Sequence, residues 1–200
     1  MISEFYNKMS KKTKLAAFLI IVILVVYFIF HFLTIDAKSI PDDFLMARQE
    51  ASLIAEDIVS MANESSGNLS EISRLDQEGK YAEALNLVSQ EIERNRQARE
   101  KAISLSSQLE VMAKNIAGIS PASAGQTALQ AVTSETALIS RLITYNEYLS
   151  QLLEVLRDKF TGANNGNSIP DLISKINDEV KSINDLNRKF NSLIKEFDSF

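Results

Sequence analysis

The chain combines 200 residues and a formal net charge of −5 with a single histidine and no cysteine. The lack of cysteine excludes disulfides, thiolate metal sites and cysteine nucleophiles. Residues 36–200 carry 17 basic and 25 acidic side chains, a net charge of −8. Bulk electrostatics therefore do not draw this part of the chain to nucleic acid or to an anionic membrane surface.

The most apolar run of the chain begins at Leu15, ends at Ile35 and contains no Asp, Glu, Lys or Arg. At about 1.5 Å per residue, a helix of this run spans about 31 Å, the thickness of a bilayer's hydrocarbon core. We predict a transmembrane anchor helix over residues 15–35, after a basic tail over residues 1–14 and before a linker over residues 36–40. A cleaved signal peptide would have a shorter apolar run and a small-x-small cleavage site. A buried core helix would have a polar face, which this run lacks.

Basic residues flank the apolar run unequally. Four of them precede it: Lys8, Lys11, Lys12 and Lys14. Lys38 is the one basic residue in the dozen positions that follow. The positive-inside rule then puts the N-terminus in the cytoplasm and residues 36–200 outside it, as in a bacterial cell-membrane protein. We interpret His31 as an interfacial side chain. The alternative, a proton or metal site in the membrane, has no second ionisable residue in the segment.

Short polar signals mark where helices begin and end after residue 38. The tetrapeptide Ser-Ile-Pro-Asp occurs over residues 39–42 and again over 168–171. Each copy is typical of a helix N-terminus with a serine cap, a proline in the first turn and an aspartate at the positive end of the helix dipole. Residues 120–121 mark a third start, and Gly118 suits the left-handed position that ends a helix. Residues 65–67 predict a break.

These signals predict four helical rods over residues 41–78, 81–117, 121–160 and 169–200. The joint between the second and third rods has about three residues, which forces the two to run antiparallel. We therefore predict an all-α fold in which the N-terminal transmembrane helix is followed by an elongated antiparallel four-helix bundle over residues 41–200.

Apolar residues recur every three or four positions along the rods, which is typical of coiled-coil-like packing. The last rod carries a strict seven-residue series: Ile169, Ile176, Ile183, Phe190 and Phe197. Three asparagines interrupt these registers: Asn95, Asn146 and Asn187. Antiparallel folding brings the three to one level, so we predict a buried polar layer that fixes the register at some cost in stability. The alternative is that they touch water at the edge of the seam, with Leu186 in the core place of Asn187.

The residues after the anchor offer no recognisable catalytic or cofactor chemistry. Di-iron and zinc sites in bundles need histidine, which these residues lack. We find no calcium loop and no glycine-rich phosphate loop. We predict that the protein is not an enzyme and uses no metal or cofactor. We interpret the mixed-charge residues 91–101 as a solvated helix side, and the alternative is a partner-docking face.

Residues 77–85, Gln-Glu-Gly-Lys-Tyr-Ala-Glu-Ala-Leu, resemble the middle of a tetratricopeptide repeat, where a Gly-x-Tyr-x-x-Ala core joins two helices. This resemblance implies a tight helix turn at Gly79 and Lys80. The layout of a short tail, one anchor and a helical bundle is similar to that of bacterial chemoreceptor ectodomains and of LemA-type membrane proteins. That likeness implies the same architecture.

We expect a single-pass cell-membrane protein whose extracytoplasmic bundle acts as an envelope scaffold or adaptor through contacts with a protein partner. The sequence does not identify that partner. The anchor contacts the lipid bilayer, and we expect no nucleic-acid partner. Two alternatives stay open: a ligand-sensing module that partners a separate signalling protein, and a self-assembling coiled-coil protein that forms a homo-oligomer.

Overall fold

The computed structural model describes residues 39–163 and 168–200, which belong to one compact unit. This part is all-helical, as predicted. Its four long helices are α1 (Asp42–Gln77), α2 (Tyr81–Asn115), α3 (Ala122–Phe160) and α4 (Ile169–Ser199). A single 3-10 turn, Ile116–Gly118, follows α2. The predicted rods therefore begin and end within three residues of the observed helices.

Neighbouring helices in the chain pack side by side, α1 along α2, α2 along α3 and α3 along α4. Polar contacts show that α1 runs antiparallel to α2 and α3 to α4, because the residue numbers on one helix rise as those on the other fall. Asp57 and Asn68 of α1 contact Lys101 and Glu91 of α2, respectively. Thr127 and Arg141 of α3 contact Glu196 and Glu179 of α4, respectively. The four-helix arrangement of the prediction is thus present, and the coiled-coil character of its packing stays a prediction.

The core consists of two apolar clusters with a polar layer between them. One cluster contains Phe44, Ile54, Leu105, Met112, Ile139 and Phe197, together with small residues such as Ala102, Ala124 and Ala128. The other contains Ile72, Leu75, Val88, Leu153, Phe160, Leu172 and Ile176. The buried residues between them in sequence are polar: Ser65, Glu91, Asn95, Asn146 and Glu179.

The predicted break in the first rod is wrong. Helix α1 runs unbroken through Ser65, Ser66 and Gly67. A glycine inside a helix costs only about 1 kcal/mol. Burial of Ser65 and of Ile72, which packs with Val88 of α2, keeps the segment helical. Packing therefore outweighs the local preference for a turn.

The predicted serine caps are wrong too. No side-chain cap hydrogen bond forms at the start of α1, α3 or α4. The backbones of Ser39 and Ser120 pair instead, each N–H donating to the other's carbonyl at 3.1 and 2.9 Å. Gly118 does not adopt a positive φ, unlike Gly79 at 69° and Gly162 at 79°. A Cβ on Gly118 would lie 2.8 Å from Cγ of Pro41, so this glycine permits close approach of the chain before α1.

The predicted anchor, residues 15–35, the lysines before it and His31 lie outside the described residues. Among residues 39–163 and 168–200, no helix is both long enough and apolar enough to cross a membrane. The turn implied by the tetratricopeptide-like stretch is present: Gly79 and Lys80 join α1 to α2.

Candidate functional site

An open groove of about 620 Å³ lies between α1 and α4. We call it the α1–α4 groove. Its α1 wall runs from Arg48 to Asn63 and its α4 wall from Asn187 to Ile194. Its floor is apolar and comes from Leu105, Leu109 and Met112 of α2. At 1.5 Å per residue, the α1 wall is about 22 Å long, or about four helical turns.

The C-terminal half of α4 explains why the groove exists. No residue of α4 between Glu179 and Phe197 is buried. Among its apolar side chains in this stretch, Val180 is exposed and the others are only half-buried: Ile183, Leu186, Phe190, Leu193 and Ile194. Two of them, Ile183 and Phe190, continue the seven-residue series that is buried at Ile176 and again at Phe197. The sequence of α4 thus encodes a full apolar stripe, which the described helices cover only in part.

The groove is closed at one end by contacts between the start of α1 and the end of α4. The centres of the Phe44 and Phe197 rings lie 5.7 Å apart. Arg48 donates two hydrogen bonds to Asp198, at 2.7 and 2.8 Å, and its guanidinium lies 5.7 Å from the centre of the Phe197 ring. These contacts hold the two walls together beyond the groove.

Glu135 of α3 lines the groove and is only 7% exposed. Its Oε2 accepts no hydrogen bond from any residue in the described part of the chain. Burial raises the pKa of the Glu135 carboxyl to about 7, because desolvation disfavours the charged form. A carboxylate in this position is poorly solvated, and it forms no ion pair with any residue that the structure describes.

The structure brings two of the three predicted layer residues together. Asn95 and Asn146 are 7% and 6% exposed, and Nδ2 of Asn95 donates to the main-chain carbonyl of Asn146 at 2.8 Å. Oδ1 of Asn95 finds no partner among residues 39–163 and 168–200.

Asn187 does not join this layer. It is exposed, lines the α1–α4 groove and accepts a hydrogen bond from Asn191 at 3.1 Å. Its neighbour Leu186 is half-buried, and the main-chain carbonyl of Leu186 accepts a hydrogen bond from Ser134 of α3 at 3.5 Å. Including Asn187 in the predicted layer was wrong because its side chain is exposed on the groove, whereas Leu186 is half-buried.

Three glutamates are buried in the described part of the chain, and none of them was predicted to be buried: Glu91, Glu135 and Glu179. Glu135 had a detectable signal. The apolar series of α3 includes Val132, Ile139 and Leu142. Position 135 lies three residues after Val132 and four before Ile139, so it belongs to the same series. A glutamate at a core position of a heptad series is as clear an interruption as the asparagine at position 146.

Glu91 lies in a network that joins α1 to α2. It is 1% exposed and accepts hydrogen bonds from Asn68, at 2.5 Å, and from Arg94. Arg94 also contacts Glu64 of α1 at 3.2 Å. Elsewhere in the mixed-charge run the pairs are exposed. Some lie within α2, as between Arg96 and Glu93, and others reach a neighbouring helix, as between Lys101 and Asp57 of α1. Both ends of this run therefore contact α1, and the charged side chains between them are exposed to solvent.

The described residues, 39–163 and 168–200, contain no group of three His, Cys, Asp or Glu side chains that could hold a metal ion. Comparison of the chain with models of protein families, with curated proteins and with solved structures finds no match. The α1–α4 groove and the residues that line it are therefore the features of this chain that point to a function.

Proposed function

We propose that this chain is a single-pass membrane-anchored adaptor whose extracytoplasmic helical domain binds an amphipathic helix of a partner protein in the α1–α4 groove. The observation that carries the proposal is the apolar stripe of α4. Its residues Phe190 and Ile194 line the groove and are only half-buried. Apolar side chains arranged at helical spacing gain free energy when another apolar surface covers them.

The dimensions of the groove favour a helix as its occupant. The α1 wall is about 22 Å long, which matches about 15 residues of α-helix. Both walls are themselves helices, and a further helix packs its ridges between theirs as helices do elsewhere in a bundle. In this mode of recognition, apolar residues at positions i, i+3, i+4 and i+7 of the bound helix pack into the groove.

The location is proposed from the sequence. The lysines before residue 15 and the uncharged run over residues 15–35 support an anchor with its N-terminus in the cytoplasm. In this orientation the groove faces the extracytoplasmic side of the envelope. An adaptor of this kind acts by holding its partner at the membrane, and it needs no catalytic residue.

Site-specific photocrosslinking of the full-length chain in its membrane tests this function. We place p-benzoylphenylalanine at position 190 in the groove and, as a matched control, at position 81, because Tyr81 is an exposed aromatic residue of α2. The expected product joins position 190 to one defined peptide with an apolar helical stripe, and no such product forms from position 81. A synthetic copy of that peptide then binds the purified full-length chain, and Phe190→Asp weakens this binding at least tenfold.

Other products would contradict the proposal. Products from position 190 that contain only a second copy of this chain would make self-assembly the function. Equal products from both positions, or a synthetic peptide that does not bind, would show that the groove has no helical partner.

A ligand-sensing function is the second candidate, and one observation favours it. The volume of the groove falls within the range of small-molecule sites, roughly 300–1,000 Å³, and Glu135, Asn187 and Asn191 supply polar groups along it. A sensor gains thermal stability on binding a small molecule. A screen of envelope metabolites tests this candidate. A metabolite that raises the melting temperature of the wild-type chain, but not that of Phe190→Asp, would favour the sensor over the adaptor.

A further inference from the structure

The charged residues that line the α1–α4 groove differ in what they can offer a partner. They are Arg48, Glu56 and Glu135. Arg48 already makes two hydrogen bonds to Asp198, and Glu56 is exposed to solvent. Glu135 is buried, and its Oε2 has no partner in the described part of the chain. It is therefore the charge in the groove that a bound molecule can compensate.

Compensation requires a cation that reaches a buried carboxylate through apolar surroundings. Lysine and arginine do this, because their aliphatic stems bury along apolar surface while the charged group extends to its partner. The apolar floor of Leu105, Leu109 and Met112 provides such a surface in the same groove. A hydrogen bond between a cation and a carboxylate is also stronger than one between neutral groups.

We propose that the α1–α4 groove selects a helix that carries a lysine or arginine within its apolar face, and that this basic group binds the Glu135 carboxylate. The inference rests on the proposed function, since it names the chemistry of the helix that the groove accepts. The apolar residues of the bound helix cover Phe190 and Ile194, and the basic residue confers specificity. An amphipathic helix with an entirely uncharged apolar face leaves Glu135 buried without a partner and binds more weakly.

A displayed library of amphipathic helices tests the inference. The library keeps a fixed polar face and randomises the apolar face of 22-residue peptides, and it is selected against the full-length chain in lipid nanodiscs. A parallel selection uses Glu135→Gln, which keeps the shape of the side chain and removes its charge. Peptides that also bind Ala55→Trp, a variant with added bulk in the groove wall, are discarded because they bind elsewhere.

The expected result is that peptides enriched on the wild-type chain carry one lysine or arginine on the apolar face, whereas those enriched on Glu135→Gln carry none. Replacing the basic residue of an enriched peptide by norleucine should then weaken binding to the wild-type chain at least tenfold and change binding to Glu135→Gln less than twofold. Comparing the two peptides on the two proteins isolates the contribution of the contact between the basic group and the Glu135 carboxylate.

Two results would overturn the inference, and they are distinguishable. Groove-binding peptides without an enriched basic residue, or an equal loss of affinity on both proteins, would refute the role of Glu135 and leave the adaptor function standing. The absence of any groove-specific peptide for either protein would refute the proposed function of the groove as well.

Discussion

The centre of the Phe197 ring, near the end of α4, lies 5.7 Å from the centre of the Phe44 ring, near the start of α1. Both side chains are 1% exposed. This contact joins the first and last helices, which otherwise face each other across the groove. The end of α4, which packs along α3, is therefore held to α1 as well, by one aromatic pair and by the neighbouring Arg48–Asp198 ion pair.

Phe197→Ala should lower the free energy of unfolding by about 3 kcal/mol, because it removes a fully buried ring and leaves a cavity against Phe44. Urea titration of the full-length chain in detergent micelles, followed by circular dichroism, measures this loss. Phe200→Ala is the matched control, since Phe200 is 44% exposed. It should change stability by less than about 0.5 kcal/mol. Equal effects of both variants would show that the aromatic pair does not hold α4.

Glu135→Gln should stabilise the chain at pH 8 and change little at pH 4.5. The pKa of the carboxyl is about 7 in the folded chain, against an ordinary value of 4.5. The folded state thus holds the proton more tightly, and wild-type stability falls as the pH rises from about 4.5 to about 7. Removing the titrating group should recover up to about 3 kcal/mol above pH 7.

Urea titrations of wild type and Glu135→Gln at half-unit steps of pH measure this difference. The other charged residues that line the groove, Arg48 and Glu56, are present in both proteins and cancel in the comparison. Glu154→Gln, an exposed position on the same helix, is the control. A stability difference between wild type and Glu135→Gln that does not change with pH would contradict the expectation.

Gly118→Ala should destabilise the chain by about 1 to 3 kcal/mol, because a methyl group there would lie 2.8 Å from the ring of Pro41. Gly67→Ala should have the opposite sign. Gly67 lies inside α1 with nothing within 4 Å of the added Cβ, and alanine is the better helix former by about 1 kcal/mol. Thermal unfolding of the two variants against wild type gives both signs in one experiment. Stabilisation by Gly118→Ala would mean that Pro41 does not pack against the α2–α3 turn.

Asn95→Ala should lower the free energy of unfolding by about 1 to 2 kcal/mol, because it removes a buried hydrogen bond to the Asn146 carbonyl. Asn187→Ala should change it by less than about 0.5 kcal/mol, since that side chain is exposed. Chemical denaturation of both variants measures the difference. A larger loss for Asn187→Ala would restore the three-residue layer predicted from the sequence.

The helices were predictable because their ends are marked by proline, glycine and charged residues, and their lengths by apolar periodicity. The features that failed are those decided by contacts between distant residues. Gly67 suggested a break, but packing around Ile72 keeps α1 helical. Ser39 and Ser120 suggested caps, but each finds its partner in the other's backbone. Local patterns do not contain such pairings.

The candidate site was less predictable than the fold. Asn95 lies near Asn146, as predicted. In two antiparallel helices, residues equally far from the connecting turn lie at the same level, so this prediction needs only the position of one turn. It failed for Asn187, because the position of a turn does not fix which face of α4 is buried, and that face leaves Asn187 exposed. The groove itself follows from incomplete coverage of α4, which an apolar series in sequence does not reveal. Glu135 could have been found from its place in the series of α3.

The paired backbones of Ser39 and Ser120 have a mechanical consequence. Two hydrogen bonds join the backbone of Ser39 to that of Ser120. A pulling force applied to the chain ahead of Ser39 therefore acts on the α2–α3 turn as well as on α1. The load is shared between two points of the helical domain. The first turn of α1 is thus protected from unravelling until both hydrogen bonds have broken.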